Sequence, residues 1–172
     1  MKEYILIDGY NIINNWKVLK EESVHSFDGA RIKLLEIMSN YQSYKGINII
    51  VVFDAHYVKN SMEKHETHDG LHVVYTKEYE SADNYIERFV SENADENTII
   101  RVATSDSLEQ MVVLGLGGSR ISARELENEV QNAGLNMDRH YINIIEDKRN
   151  LLEEQIDEEV FKKLEEIRRR KT

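Results

Sequence analysis

Four aspartates stand where short apolar runs give out. Asp8 directly follows residues 4–7, and Asp54 directly follows 48–53. Asp106 closes the run 98–103 by way of Thr104 and Ser105. Asp83 falls in the first turn of the helical pattern that comes after 72–76. If the apolar runs are parallel strands, all four acids lie at the carboxyl edge of one sheet, where open α/β folds bind their ligands. Carboxylates gathered in this way repel one another, and some hold a proton at neutral pH. A divalent cation relieves that repulsion, and a ligand set made only of oxygen selects Mg²⁺ or Mn²⁺ rather than zinc. Such an ion activates water and polarises a phosphoryl oxygen, so the implied chemistry is hydrolysis of a phosphodiester. Asp8, Asp83 and Asp106 are the expected catalytic and metal-binding residues. Asp54 is the weakest member, and Glu87 stands one helical turn after Asp83 on the same face as a supporting acid. Taken singly, each acid has an ordinary explanation. Asp8 before Gly9 makes a turn, Asp54 and Asp106 cap helices, and Asp83 favours a helix dipole. Their joint placement is what separates the two readings.

That placement depends on the elements around the acids. The runs 4–7, 48–53, 72–76 and 98–103 are short, rich in Ile and Val, and continuous rather than alternating, as expected of strands covered on both faces. Between them lie helical patterns. Ile32, Leu35, Met38 and Tyr41 recur on one face of residues 28–44, with Asp28 as N-cap. Tyr85, Ile86, Phe89 and Val90 do so within 81–93, where Ser81 is the cap. Residues 107–114 form a third helix that stops near Gly115. Ser122 and Glu125 have capping-box spacing and open a fourth through Leu126 and Val130. Strands alternating with helices predict a doubly wound α/β sandwich with a mainly parallel central sheet and helices on both faces. If the chain runs one way through three strands and then reverses to the fourth, the first and fourth flank the switch point, and Asp8 and Asp106 become neighbours. Residues 139–145 fit strand or helix equally. Leu152, Ile156, Val160, Leu164 and Ile167 predict a C-terminal helix from about residue 157 to 171. Residues 57–70 are the longest irregular stretch.

The 172 residues predict a single domain with a real core. With 41% hydrophobic and 31% charged residues the chain is globular rather than disordered. The absence of cysteine removes disulfide scaffolds and thiolate catalysis, and suits a reducing, cytoplasmic setting. No stretch reaches the roughly 18 apolar residues of a membrane span, and the first residues are too short and too acidic a lead-in for a signal peptide. Neither a membrane nor an organic cofactor is expected. The segment from Gly115 to Gly118 fits neither the dinucleotide fingerprint nor the P-loop and predicts a turn. The net charge of −10 weighs against a nonspecific nucleic-acid binder, although Arg168, Arg169, Arg170 and Lys171 form a basic terminus. His65, His68 and His72 with Asp69 have the spacing of one helical face, but Gly70 interrupts it, and a polar loop explains them better than a zinc site. Arg31, Lys33, Lys59, Lys64 and Arg120 are candidate phosphate contacts, with Arg120 preferred because its loop should reach the carboxyl edge. Tyr10, Trp16, Tyr57 and Tyr79 could stack on unpaired bases, with core packing an equal reading for Trp16.

Ile7-Asp8-Gly9-Tyr10-Asn11 resembles the opening motif of NYN domains, the nuclease group within the PIN-like fold. Glu80-Ser81-Ala82-Asp83 resembles the Thr-Ala-Asp motif of that group, with Ser in place of Thr. Ala103-Thr104-Ser105-Asp106 resembles its Thr-Ser-Asp motif. Residues 118–126 and the ending at 164–170 are similar to the YacP-like branch, with Ser119 where Ala is usual. The likeness runs through essentially the whole chain. It implies a cytoplasmic, ribosome-associated endoribonuclease that cuts mRNA in the ribosomal A site. It also implies that Asp8, Asp83 and Asp106 are the acidic centre, and that Asn11 orients a ligand or the scissile phosphate, with Ser105 and Arg120 as further substrate contacts. The implied partners are RNA and the ribosome. The alternatives are a non-catalytic ribosome- or RNA-binding factor of the same fold, and a structure-specific DNA nuclease or phosphatase.

Overall fold

The computed structural model describes the backbone of residues 1–55, 59–155 and 158–170. It divides into two compact units, Met1–Ala133 and Gly134–Thr172.

The first unit is built on a six-stranded sheet: β1 (Lys2–Asp8), β2 (Asn48–Phe53), β3 (Lys64–His68), β4 (Leu71–Tyr75), β5 (Thr98–Ala103) and β6 (Ser119–Ile121). The spatial order is β3-β4-β2-β1-β5-β6, and every pairing is parallel except β3 with β4. The chain therefore moves outward from β1 through β2 to β4, then returns to the other side of β1 with β5, the reversal on which the nearness of Asp8 and Asp106 was conditional. Its helices are α1 (Gly9–Asn15), α2 (Lys17–His25), α3 (Phe27–Lys45), α4 (Ala82–Asn93), α5 (Ser107–Gly115) and the start of α6 (Ala123–Gln155).

The continuous apolar runs arise because the sheet is buried on both faces. Ile5, Ile7, Ile49, Val51, Phe53, Val73 and Ala103 point to one side and pack with Ile12, Leu19, Leu34, Met38, Tyr41 and Leu126 from α1, α2, α3 and α6. Leu6, Ile50, Val52, Val74, Ile100 and Val102 point to the other and pack with Ala82, Tyr85, Ile86 and Val90 of α4 and Val113 of α5. Odd and even residues of each strand thus build separate cores, the period-two rule acting on two hydrophobic layers at once. Trp16 belongs to the first core, where its indole N–H donates to the Ala123 carbonyl at 2.8 Å.

Several local expectations need correction. The helix expected from Asp28 begins at Phe27, because Ser26 is the cap and its hydroxyl accepts from Gly29 N–H at 2.9 Å. Asp28 is a first-turn residue paired with Arg31. The stretch 57–70 is not irregular throughout, since β3 forms an antiparallel hairpin with β4 across Asp69 and Gly70, both at positive φ. The three histidines consequently lie on a hairpin and not on a helical face. His65 Nδ1 and His72 Nε2 are 2.9 Å apart, while His68 sits at the turn beside Asp69. Tyr57 lies outside the described residues. Residues 139–145 are helical, as part of α6.

The capping box is present as expected. Ser122 N–H donates to Glu125 Oε2 at 2.7 Å, and Glu125 N–H donates to Ser122 Oγ at 3.1 Å. Gly117, at φ 91°, makes the turn expected among the glycines before β6.

The second unit holds the rest of α6 and α7 (Glu158–Arg170). Within it Tyr141, Ile142, Ile145, Val160, Leu164 and Ile167 are exposed. Arg168 and Arg169 each approach Glu165 at 3.7 Å, so part of the basic terminus is neutralised locally. Lys171 lies outside the described residues. Among the described residues no helix is long and apolar enough to cross a membrane.

Candidate active site

β1 ends at Asp8 and turns at once into α1. The Asp8 side chain caps that helix, accepting the Asn11 N–H at 3.2 Å. Asp54 follows β2 in the adjacent position, and the backbone there is held by Thr76, whose buried hydroxyl accepts Ala55 N–H at 2.9 Å. Asp83 rides the first turn of α4, started by Ser81, whose hydroxyl accepts Asn84 N–H at 3.2 Å. Because β1 lies between β2 and β5, these loops converge on one cleft of about 290 Å³, lined by Asp8, Tyr10, Asn11, Asn14, Asp54, Ser81, Ala82 and Asp83.

Across the switch point, β5 ends in a tight turn. Asp106 caps α5, its Oδ1 accepting Leu108 N–H at 2.8 Å and Glu109 N–H at 3.4 Å. Its own N–H donates to Thr104 Oγ1 at 3.1 Å. Asn11 reaches over from α1, and its Oδ1 accepts Ser105 N–H at 3.0 Å. The capping role considered for Asp106 is therefore real, Asp8 caps α1 where only a turn was expected, and neither cap competes with the site. Capping is how the two carboxyls are held at the edge. Asp106 itself is exposed, and its charge acts on both Asp8 and Asp83.

The tightest group of acids contains a residue that sequence reasoning missed. One oxygen each from Asp8, Asp83 and Glu109 lie within 4.8 Å of one another. Glu109 follows Asp106 by three residues and is only 3% exposed. Both of its carboxylate oxygens are buried without a hydrogen-bond partner. The Thr104 hydroxyl and the Asp83 carboxyl are near enough to influence it, but neither closes a hydrogen bond of ordinary geometry. Glu109 lies one turn before Val113, the residue by which α5 enters the core, so it stands in the inward stripe of a mostly apolar helix.

Electrostatics follows from this crowding. Burial pushes the Asp8 carboxyl from 3.8 up to about 6, against the Asn11 N–H that lowers it, and the charges of Asp83, Asp54 and Asp106 push it further. Burial likewise raises Glu109 from 4.5 to about 8, opposed by the Thr104 hydroxyl and reinforced by the charges of Asp83 and Asp8. Asp83 is raised by burial and by Asp106 and Asp54, against the pull of Glu109. Desolvation and like charge act together here, the condition a divalent cation reverses. The chemistry of the donor set fits such an ion. Ligand oxygens at most 4.8 Å apart can share a cation whose oxygen distances are roughly 2.0–2.6 Å. The orphaned Glu109 oxygens are the buried polar atoms such an ion would satisfy. Among the described residues, this three-ligand group includes no histidine.

The remaining expected residues separate. Asp54 lines the cleft and adds to the field on Asp8 and Asp83. Asn11 lines it too, while its amide oxygen is engaged with Ser105. Ser105 contributes its backbone N–H to that bond and is otherwise exposed. Arg120 lies on the edge strand β6, pairs in register with Val102, and reaches Gln110 at 3.4 Å rather than lining the cleft. Glu87 is half-buried on α4 and is neither in the lining nor in the acid trio.

Known proteins are similar in sequence and fold. YacP of Bacillus subtilis (strain 168) is 43% identical over 146 residues, which cover 85% of each chain. A crystal structure of Rae1 (YacP) from Bacillus subtilis is similar with a TM-score of 0.71 and 42% identity, covering 96% of this chain and 94% of that one. A mutant form of the same protein has a TM-score of 0.74 and 40% identity, covering 85% of each. This kinship supports a nuclease-like role and an RNA-related one. Residues 5–169 match the family described as YacP-like NYN domain, and the chain belongs to that family.

Proposed function

We propose that this protein is a metal-dependent endoribonuclease that hydrolyses phosphodiester bonds in mRNA, in the cytoplasm and on the translating ribosome, at the A site. The observation that carries the reading is the trio Asp8, Asp83 and Glu109, with both Glu109 oxygens buried and orphaned. An acid in that state costs stability and gains nothing unless a cation joins it.

Asp8, Asp83 and Glu109 would hold Mg²⁺ or Mn²⁺, with Glu109 in the place expected for Asp106. Asp106 stands beside them as cap and source of negative potential. A divalent ion bound there supplies Lewis acidity toward water and toward a phosphoryl oxygen. The chain does the rest. Asp8 is fixed by the Asn11 N–H, and Asn11 in turn fixes the Ser105 turn, so the two sides of the switch point keep their spacing. Asp54 and Asp106 deepen the negative field, which favours cation binding and repels unpaired phosphates. That repulsion, with a net charge of −10, suits a protein positioned on RNA by a large partner. The ribosome and its A site enter through the family resemblance.

Mapping new 5′ ends in translating extracts tests the reading. The wild-type protein should produce discrete ends in the presence of Mg²⁺, and Asp83→Asn and Glu109→Gln should not. Equal cleavage by the wild type and both variants would refute it.

A further inference from the structure

The turn between β4 and α4 is held from outside itself. Tyr79 stands there at φ 66°, a left-handed backbone that side chains rarely adopt and that persists only where neighbours fix it. Its own ring is exposed and fixes nothing. Glu80 follows, only 8% exposed, with its N–H donating to the Lys77 carbonyl at 3.1 Å. Glu80 Oε2 is buried without a hydrogen bond, so Oε1 carries the compensation for that charge. It accepts from Arg88 twice, from Nε at 3.2 Å and from Nη2 at 3.0 Å. Arg88 lies two turns along α4 and reaches back past the Ser81 cap to do so.

The same guanidinium holds a second element. Arg88 Nη2 donates to Glu63 Oε2 at 2.6 Å, just ahead of β3. Glu63 Oε1 meets His65 Nε2 at 2.8 Å, and His65 Nδ1 meets His72 Nε2 of β4 at 2.9 Å. The guanidinium also lies 4.9 Å over the Tyr85 ring. One cation thus clamps the entry of α4 to the β3–β4 hairpin. A guanidinium can span two carboxylates in this way because its donors form a rigid fork.

We infer that Arg88, through Glu80, is a positioning residue for Asp83, and so for cation binding. The inference rests on the metal-dependent reading and adds the residue that sets its geometry. Asp83 stands three residues after Glu80, in the first turn of α4. Its oxygen has to come within 4.8 Å of those of Asp8 and Glu109. Asp8 is fixed at the end of a central strand, and Glu109 is buried on α5. Asp83 belongs instead to a helix end, the part of a helix that frays. Ser81 caps that end, but Ser81 itself hangs from the strained turn. The Arg88 clamp keeps turn, cap and Asp83 in one place. Charge alone would act in the opposite direction. As a positive charge on the helix that carries Asp83, Arg88 opposes cation binding, so its removal would tighten binding if only the field mattered. Positioning predicts the reverse.

Calorimetric titration with Mn²⁺ and amide hydrogen exchange of the metal-free protein test the clamp. Arg88→Met keeps the side-chain stem and loses both carboxylate contacts. Ala82 and Ile86 still seat α4 in the core, so the variant should fold by circular dichroism. It should bind Mn²⁺ about tenfold more weakly, the loss of charged hydrogen bonds. Exchange of the Asn84 and Tyr85 N–H groups, which bond to Ser81, should quicken by a similar factor, and exchange in β1 should not. Arg88→Lys keeps the charge without the fork and should fall between the two proteins. Should the bare Glu80 carboxylate unfold Arg88→Met, Arg88→Met/Glu80→Leu removes both charges and carries the same expectations. A folded variant that binds Mn²⁺ as tightly as wild type or tighter, or whose exchange quickens uniformly, would overturn the clamp and leave the metal reading in place. Wild-type protein that binds no Mn²⁺ would overturn the metal reading and the clamp's role with it.

Discussion

Glu109 makes the sharpest prediction, because its burial links metal, pH and stability. Its carboxyl is raised from 4.5 to about 8, so the folded chain holds that proton more tightly than the unfolded chain does. The stabilisation is fully present below the unfolded value and is lost as pH rises toward about 8. Each pH unit within that window costs up to about 1.4 kcal/mol, so in metal-free buffer the step from about pH 5.5 to about pH 7.5 should cost roughly 2 kcal/mol, allowing for saturation near the upper end. Asp8, raised from 3.8 to about 6, adds a smaller loss of the same sign in the lower part of that window. His72 is lowered from 6.5 by burial and by His65, so it opposes both, gaining stability as pH rises toward 6.5. Asp83 is raised as well and adds a loss of the same sign, and comparison with Glu109→Gln removes the His72 contribution, which that substitution does not touch. The variant should be flatter than wild type over the window by roughly 2 kcal/mol, and more stable near pH 7.5. Urea unfolding at the two pH values in EDTA measures this directly. Millimolar Mg²⁺ or Mn²⁺ should stabilise the wild type near pH 7.5, by about 2.7 kcal/mol once the ion is at a hundred times its dissociation constant, and should do much less for the variant. Parallel pH profiles for the two proteins, or equal stabilisation by the ion, would refute the argument that this acid is kept for a cation.

Four other outcomes follow from the same geometry. Asp8→Asn and Asp83→Asn should abolish cleavage of ribosome-bound message while keeping the fold, as read by 5′-end mapping beside circular dichroism. Asp106→Asn should keep the α5 cap and near wild-type stability, whereas Asp106→Ala should lose about 1 kcal/mol by urea unfolding, because only the first retains an acceptor for the Leu108 and Glu109 N–H groups. Trp16→Phe should cost about 1–3 kcal/mol in the same assay, since it removes the buried hydrogen bond to the Ala123 carbonyl and part of the indole packing, with cleavage per folded molecule unchanged. Gly9→Ala should cost about 1–3 kcal/mol, because the added methyl meets the buried Phe53 ring and that ring must move.

The parts of this molecule that could be read from sequence are those in which one interaction dominates. Strands buried on both faces need continuous Ile and Val, so the four runs and their mainly parallel pairing were legible, whereas the switch point beside the first strand was one condition among possible strand orders. The Ser122–Glu125 box was legible because two reciprocal hydrogen bonds demand those two residue types at that spacing. The helices α1 and α2 were not legible, because their sequence is polar and weakly periodic, and tertiary burial of Ile12, Ile13 and Leu19 decides their form. Strand β3 escaped for a related reason: Lys-His-Glu-Thr-His is exposed along most of its length and is a strand because β4 pairs with it. The site divides along the same line. Aspartates at strand ends can be found by position alone, since the edge of a parallel sheet is fixed by the strands. Glu109 stands inside a helix, where a single acid looks like surface until the face it occupies is known. Once α5 is placed, with Val113 inward, the carboxyl one turn before it has nowhere to go but toward Asp8 and Asp83. A site of this kind is therefore half a property of strand ends and half a property of helix phase, and the second half requires knowing which side of each helix the sheet covers.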